Sequence, residues 1–357
     1  MRISDLRFLL ALIFPMLALR NAVLTPEKAF TGALIFWWGM ALVDQFWPGA
    51  QKSPAPAAEG QSQAYFSWVL RLYVPIQLLL IGLAMVSAGS ASWPVVLGLG
   101  FAVGFLTGAQ GITFAHELGH SKSRFDRFLG WVLMTSVGYG HFMVEHYRGH
   151  HPRAATFDDP ASARRGESLY RFLPRTLWGS WVGGWRLEAQ RLQQMRKNWW
   201  QSPLVWSTAV FIIILMALSW ITSSIISAEF ATKIVVFLLL QSAIAVLLLE
   251  TVNYIEHYGL RRNTVANGKF EPFGIQHAWN ADHVASNSLL ANLQRHSDHH
   301  LHAWKPFAAL EALPGPQLPT GYPGCLILAA IPPLWFRLMH RRLDALKVAT
   351  PQPGAAH

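Results

Sequence analysis

The sequence predicts an all-α fold: a bundle of six transmembrane helices with additional interfacial helices and a histidine-rich metal site at its cytoplasmic end. Three observations predict it. Hydrophobic residues make up 52% of the 357 and charged residues only 13%, about half the ~25% usual in soluble domains. Six stretches are long and apolar enough to cross about 30 Å of hydrocarbon. Nine of the 15 histidines gather in four clusters that lie outside those stretches.

A window of roughly 19 residues finds the spans near 7–24, 29–47, 68–88, 93–115, 204–226 and 231–254. The first follows Arg2 at once, as in a signal peptide, but no small-residue cleavage site followed by a soluble domain appears, so it is expected to be retained. Between spans two and three, Pro48 to Gln63 is rich in Pro, Ala, Ser and Gln and reads as a loop. Two further apolar stretches, 128–143 and 322–339, are interrupted by Gly138, Gly140, Pro323, Pro332 and Pro333, so they are expected as interfacial or partly inserted helices. No internal repeat is evident, and residues 1–357 read as a single integral-membrane domain. Sixteen Trp and 21 Phe suit such a surface, because indole favours the membrane interface.

Charge orients the bundle. A cytoplasmic N-terminus leaves only Arg20, Lys28 and Lys233 of the 29 Lys and Arg near the opposite face, as the positive-inside rule requires. The net charge of +10 is therefore topological; no basic arm interleaved with aromatics points to nucleic acid. Segments 116–203 and 255–357 then share the cytoplasmic side, and they hold every histidine cluster. An inner-membrane, multi-pass protein with both termini cytoplasmic is the expected localisation.

The first cluster, HELGH, sets His116 and His120 at i, i+4 on one helical face. Alone it would resemble the HExxH zinc-protease pattern. EHYRGHH adds His146, His150 and His151, NYIEHYGL adds His257, and LQRHSDHH adds His296, His299 and His300. Nine imidazoles exceed the three or four that one zinc takes and suit two ions with four or five ligands each. With Cys325 the single cysteine, neither thiolate ligation nor a disulfide framework is available. Imidazole does not by itself select the metal; the membrane-end location, suited to chemistry on a lipid-dissolved substrate, favours redox-active iron.

Other polar residues are read against these nine. His277 and His283 are expected either as further ligands or as supporting or substrate-side groups. His141 and His302 flank clusters, and His340 and His357 read as ordinary surface or core residues. Glu117, Glu145, Glu256 and Asp298, with Asp158 and Asp159, adjoin ligands and are candidates to orient them, since metal-bound imidazole usually donates its second N–H to a carboxylate or carbonyl. Arg148, Arg153 and Arg295 would balance these acids or face an electron donor. Trp37 and Trp38 on the second span are candidates for limiting a substrate channel, although interfacial or lipid-facing packing is the simpler explanation of both.

HELGH, HFMVEHYRGHHPRAATFDDPAS, NYIEHYGL, WNADHVASN, LQRHSDHH and LPTGYPG, in this order and spacing, resemble the integral-membrane alkane monooxygenase family over roughly residues 30–340. The HxxxH and HxxHH elements are shared more widely, with membrane fatty-acyl desaturases and alkyl-aromatic methyl hydroxylases. The resemblance implies a non-haem centre of two iron ions, ligated by the nine clustered histidines. It implies O2 activation and insertion of one oxygen atom into a terminal C–H bond of a medium-chain n-alkane. It also implies two electrons from a rubredoxin, itself reduced by an NAD(P)H-dependent reductase. The chain departs from the family at LHAWKPFAAL and at Asp282, where Asn is usual; both leave the ligand set intact. The rival readings are methyl hydroxylation of alkyl-aromatics or terpenes, a fatty-acyl desaturase or hydroxylase, and a metal transporter or sensor. The last would need ionisable residues at mid-membrane depth, whereas Asp44, Arg71 and Glu250 lie near span ends.

Overall fold

A computed structural model describes residues 3–47, 49, 61–265 and 268–349. Among them there is no β-strand, only isolated bridges pairing Thr264 with Phe270 and Asn280 with Gln317. The chain runs through α1 (Leu10–Leu24), α2 (Ala29–Phe46), α3 (Gln61–Ser90), α4 (Trp93–Leu106), α5 (Ile112–His120) and α6 (Arg124–Ser136). It continues through α7 (Phe142–Glu145), α8 (His151–Arg153), α9 (Leu169–Gln194), α10 (Pro203–Ile225), α11 (Ala228–His257) and α12 (Val284–Leu289). It ends with α13 (His296–Leu301), α14 (Tyr322–Ala329) and α15 (Pro332–Ala349).

Six helices are long and apolar enough to cross a membrane: Asp5–Leu24, Pro26–Phe46, Ala64–Ser90, Trp93–His120, Pro203–Ile225 and Ala228–His257. They coincide with the six expected spans. Helix start signals explain several boundaries: Ser202 and Ser227 accept hydrogen bonds from Val205 N and Phe230 N, and Pro94 and Pro203 occupy first-turn positions whose N–H groups are orphans anyway. Of the expected loop at 48–63, residues 61–63 already belong to α3, and 48 and 50–60 lie outside the described residues, as does His357.

The fourth and sixth spans form the axis of the bundle. Gly100, Gly104 and Gly108 recur every fourth residue and face α11. A Cβ added at Gly104 would sit 2.6 Å from Gln241 O, and one at Gly108 would sit 2.8 Å from Ala245 Cα. Small residues at this spacing let helix backbones approach closely where no hydrophobic driving force separates helix from lipid. At the opposite extreme, α10 turns Trp206, Ile213, Met216 and Trp220 outward, as a lipid-facing helix should.

The two interrupted stretches are helical, as expected, and both pack against the bundle. The first breaks after α6, where Gly138 takes φ +67°, and α6 buries Leu133 and Met134 while exposing Phe125 and Phe128. The second divides at Ile331 into α14 and α15, with Trp335 and Met339 fully buried.

Candidate metal centre

The span-four helix does not run as one α-helix. A π-turn at Thr107–Gly111 separates α4 from α5, and α5 then carries His116 and His120 one turn apart, with ring centroids 4.8 Å apart. A second π-turn covers His146–His150. Its consequence is geometric. At 3.6 residues per turn, His146 and His151, five apart, would point about 140° away from each other. Widening to an i→i+5 turn brings them onto one face, with their Nε2 atoms 3.0 Å apart.

His150 is thereby directed elsewhere. The nine clustered histidines divide into two groups, His116, His120, His146, His151 and His299 in one and His150, His257, His296 and His300 in the other, the ligand atoms of each lying within 4.8 Å of one another. The HYRGHH segment thus feeds both groups, and so does the α13 segment HSDHH.

The ring nitrogens fit metal ions. His116 Nε2 lies 2.9 Å from His299 Nε2, His300 Nε2 lies 3.0 Å from His296 Nε2 and 3.3 Å from His150 Nε2, and His296 Nε2 lies 3.2 Å from His257 Nε2. Two nitrogens about 2.0–2.1 Å from a shared ion at right angles would stand about 2.9 Å apart, and about 3.4 Å at tetrahedral angles. Buried His120 Nε2 has no hydrogen-bond partner. His257 Nδ1 donates to the His277 carbonyl at 3.0 Å, so its Nε2 must present a lone pair inward. His150 Nδ1 faces Asp159 Oδ2 at 2.9 Å, and Asp159 is also fixed by the Ser162 hydroxyl and Ala161 N–H.

Burial, reinforced by neighbouring imidazoles, holds His146, His296, His299 and His300 well below the ordinary histidine range, and His151 is pushed down to about 3. Neutral imidazole is the form that binds metal. His150 differs: burial pushes it down, but the Asp159 carboxylate overcomes this and raises it. Asp159 itself, although burial opposes ionisation, is held down at about 2 by the same pair.

The remaining expected residues fall into distinct places. His277 belongs to neither group; its ring accepts from Gly274 N–H and faces Glu271, while its carbonyl orients His257. His283 occupies the N-cap position of α12 without a side-chain capping bond and also stands outside both groups. His141 is buried against Tyr139, and His340 meets the Tyr258 hydroxyl. Asp298 receives His302 Nδ1, Lys305 Nζ and Glu311 N–H rather than any of the nine rings. Glu145 pairs with Arg153 at 2.9 Å, and burial, with Asp159 nearby, raises its carboxyl to about 8. Glu117 lies 3.5 Å from His116 Nδ1. Glu256 lies 3.3 Å from His296 Nε2 and accepts from the Tyr322 hydroxyl at 2.8 Å. Asp158 is exposed. Arg148 is half exposed and lies 3.9 Å from Glu188.

Both sequence departures have structural partners. Asp282 accepts from buried Arg295 at 2.8 Å, and Phe307 of the LHAWKPFAAL segment packs edge-on against Phe8 and Phe66.

A narrow apolar cavity reaches this centre from within the bundle. Phe36, Trp37, Met40, Phe105, Leu249 and Leu293 are among its walls, and His116, His146 and His296 border it. Trp37 donates its indole N–H to Pro323 O at 3.0 Å and packs against Phe105. Trp38 is 53% exposed and does not line the cavity. Asp44, Arg71 and Glu250 are each engaged, with Ser286 N–H, Asp126, and the Tyr139 and Thr176 hydroxyls, and so form no ionic path.

Sequence reading missed the His277 carbonyl, both π-turns and the glycine seam. Only the seam has a signal in the sequence, Gly100, Gly104 and Gly108 at fourfold spacing.

Comparison with known proteins agrees with this architecture. The fatty acid desaturase family matches residues 91–325. Alkane 1-monooxygenase of Pseudomonas putida is 37% identical over 330 residues, 90% of this chain and 80% of its own. Alkane 1-monooxygenase 1 of Alcanivorax borkumensis is 37% identical over 310 residues, 85% of this chain and 75% of its own. More distantly, the xylene/toluene monooxygenase hydroxylase component of Pseudomonas putida is 25% identical over 333 residues, 88% of this chain and 86% of its own. A multi-pass helical bundle, two histidine groups built to hold metal, and these relatives at this coverage lead to one assignment: the chain belongs to the alkane 1-monooxygenase family, within the fatty acid desaturase family.

Proposed function

We propose that this protein hydroxylates the terminal carbon of medium-chain n-alkanes, giving primary alcohols, with O2 and two electrons delivered by a rubredoxin that an NAD(P)H-dependent reductase reduces. One oxygen atom enters the alcohol and the other leaves as water. The observation that carries this reading is the apolar cavity bordered by histidines of both groups, His116 and His146 from one and His296 from the other. Such a slot suits a substrate with no polar handle.

His116, His120, His146, His151 and His299 would hold one iron ion, and His150, His257, His296 and His300 the other. When bound, the two ions supply the activation and reduction of O2. The chain's own residues supply the rest. Asp159 and the His277 carbonyl fix the rings of His150 and His257, setting which nitrogen faces inward. Phe36, Trp37, Phe105 and Leu249 clasp the alkyl chain and exclude water, each buried CH2 contributing about 0.8 kcal/mol. This favours medium chains over very short ones. Glu256, held by Tyr322 beside His296 at the cavity's polar end, is positioned to hold a proton near the reacting carbon. Lys and Arg distribution supports an inner-membrane protein with its termini and this site cytoplasmic.

The experiment is whole-cell conversion of octane, hexadecane, p-xylene and a fatty acyl substrate with a rubredoxin system supplied. Octane converted to 1-octanol supports the proposal. Preferential benzylic alcohol or alkene formation replaces it with the alkyl-aromatic or desaturase reading.

A further inference from the structure

On the opposite flank of α3 from the N-terminal helices, a cleft of 1080 Å³ opens between α3, α6, α10 and α11. It takes no part in the site described above. Its walls are apolar: Leu78, Val210 and Ile214 are exposed along it, and Met85 and Leu218 are half-buried. From Pro203 to Leu218 along α10 it runs 15 residues, about 22 Å at 1.5 Å per residue. That is longer than half of the ~30 Å hydrocarbon layer, so the slot extends through the full depth of one leaflet's acyl chains.

The mouth is different in character. Arg124, Arg127 and Lys197 line it, at the histidine-bearing end of the bundle, with Trp131 and Trp206 beside them where indole rings suit an interface. Among the described residues none of the three cations pairs with a carboxylate. The nearest acid in sequence, Asp126, is already engaged by Arg71 at 2.7 Å and by the Ser121 hydroxyl. Arg127 is held in place by donating to Ser121 O at 2.7 Å and Lys122 O at 2.9 Å, and a guanidinium retains further donors beyond those two bonds.

We propose that this cleft is a binding site for an anionic membrane phospholipid, whose phosphate headgroup meets Arg124, Arg127 and Lys197 and whose acyl chain lies along α10. An uncharged lipid would offer the three cations no anion, and a zwitterionic lipid would offer a phosphate whose charge its own ammonium offsets, so only an acidic headgroup brings net negative charge to the mouth. Charge complementarity selects the acidic class, as basic pockets between membrane helices on the cytoplasmic side do generally.

The test uses the full-length protein, metal-loaded, in nanodiscs of dioleoylphosphatidylcholine containing 20 mol% dioleoylphosphatidylglycerol, with lipid retained after transfer to detergent counted by native mass spectrometry. The expected result is a ratio of phosphatidylglycerol to phosphatidylcholine in the retained lipid about fivefold or more above that of the bilayer. Arg124→Gln/Arg127→Gln/Lys197→Gln should abolish the preference while total retained lipid stays near its wild-type amount. Ile214→Trp, which fills the slot and spares the cations, should lower retention of both lipids. Millimolar inorganic phosphate should not displace the lipid, since it lacks the chain that the slot holds. No enrichment in the wild type, an unchanged preference in the triple variant, displacement by phosphate, or a stable dimer that buries this cleft in place of lipid would each overturn the proposal.

Discussion

The two histidine groups are built by different means. In the group of His150, His257, His296 and His300, two rings are held from outside by hydrogen bonds to their second nitrogens, from Asp159 and from the His277 carbonyl. In the group of His116, His120, His146, His151 and His299, no ring has a carboxylate within 3 Å, and Glu117 stands 3.5 Å from His116. That second group is held by helix geometry: one turn of α5, and a π-turn that folds His146 and His151 onto one face. One site rests on hydrogen bonds and the other on backbone register, so they should fail under different substitutions.

The largest effect expected is from changing that register. Inserting one residue after Arg148 would set His146 and His151 six apart, about 120° from each other around an ordinary helix, and turn the following histidines away from their groups. Metal content should fall for both groups together, and activity should drop below about 1% of wild type. Retention of full metal would mean that the π-turn is incidental. Next, Asp159→Asn removes the charge that fixes His150, and supporting residues of this kind typically affect metal affinity by 10–100-fold. The loss should be confined to one ion per chain, measured by competition with a chelator. Glu117→Gln should cost the other group less, under about threefold, since helix geometry already positions its rings; a loss as large as that from Asp159→Asn would erase the contrast. The smallest effect on rate, but a clear one on product, is expected from Trp37→Ala, which widens the cavity and releases Pro323. Chain-length preference should shift toward longer alkanes in product profiles, whereas Trp38→Ala, at an exposed position, should leave the profile unchanged.

Much of this molecule was legible in its sequence. Each of the six spans was visible because hydrocarbon imposes a length and an apolarity that a single chain displays directly. The nine histidines were visible because i, i+4 and i, i+3 spacings are helical spacings. What could not be read was how they divide. His146, His150 and His151 form one cluster by sequence, yet the first and last serve one group and the middle one the other, because a π-turn changes periodicity without changing composition. The same limit applies to His277. Its ring attracted attention, but the atom that matters to His257 is its carbonyl oxygen, which every residue possesses. Asp298 was close in sequence to three of the clustered histidines and, on the far side of α13, stabilises the turn running from His302 to Glu311 instead.

The glycine seam shows the reverse case, a legible pattern with a long reach. Gly104 on α4 and Gly108 in the π-turn after it bring the fourth span against α11, and that span continues into α5 with His116 and His120 while α11 ends at His257. Gly104→Leu would force the helices apart and misplace both groups without touching a ligand.

Metal analysis of the purified protein is the most direct test of two separate ion sites. Elemental analysis should find about two irons per chain in the wild type and about one in His120→Ala or His257→Ala, with a different ion lost in each. One zinc per chain with no iron, or loss of all metal from either single variant, would contradict it.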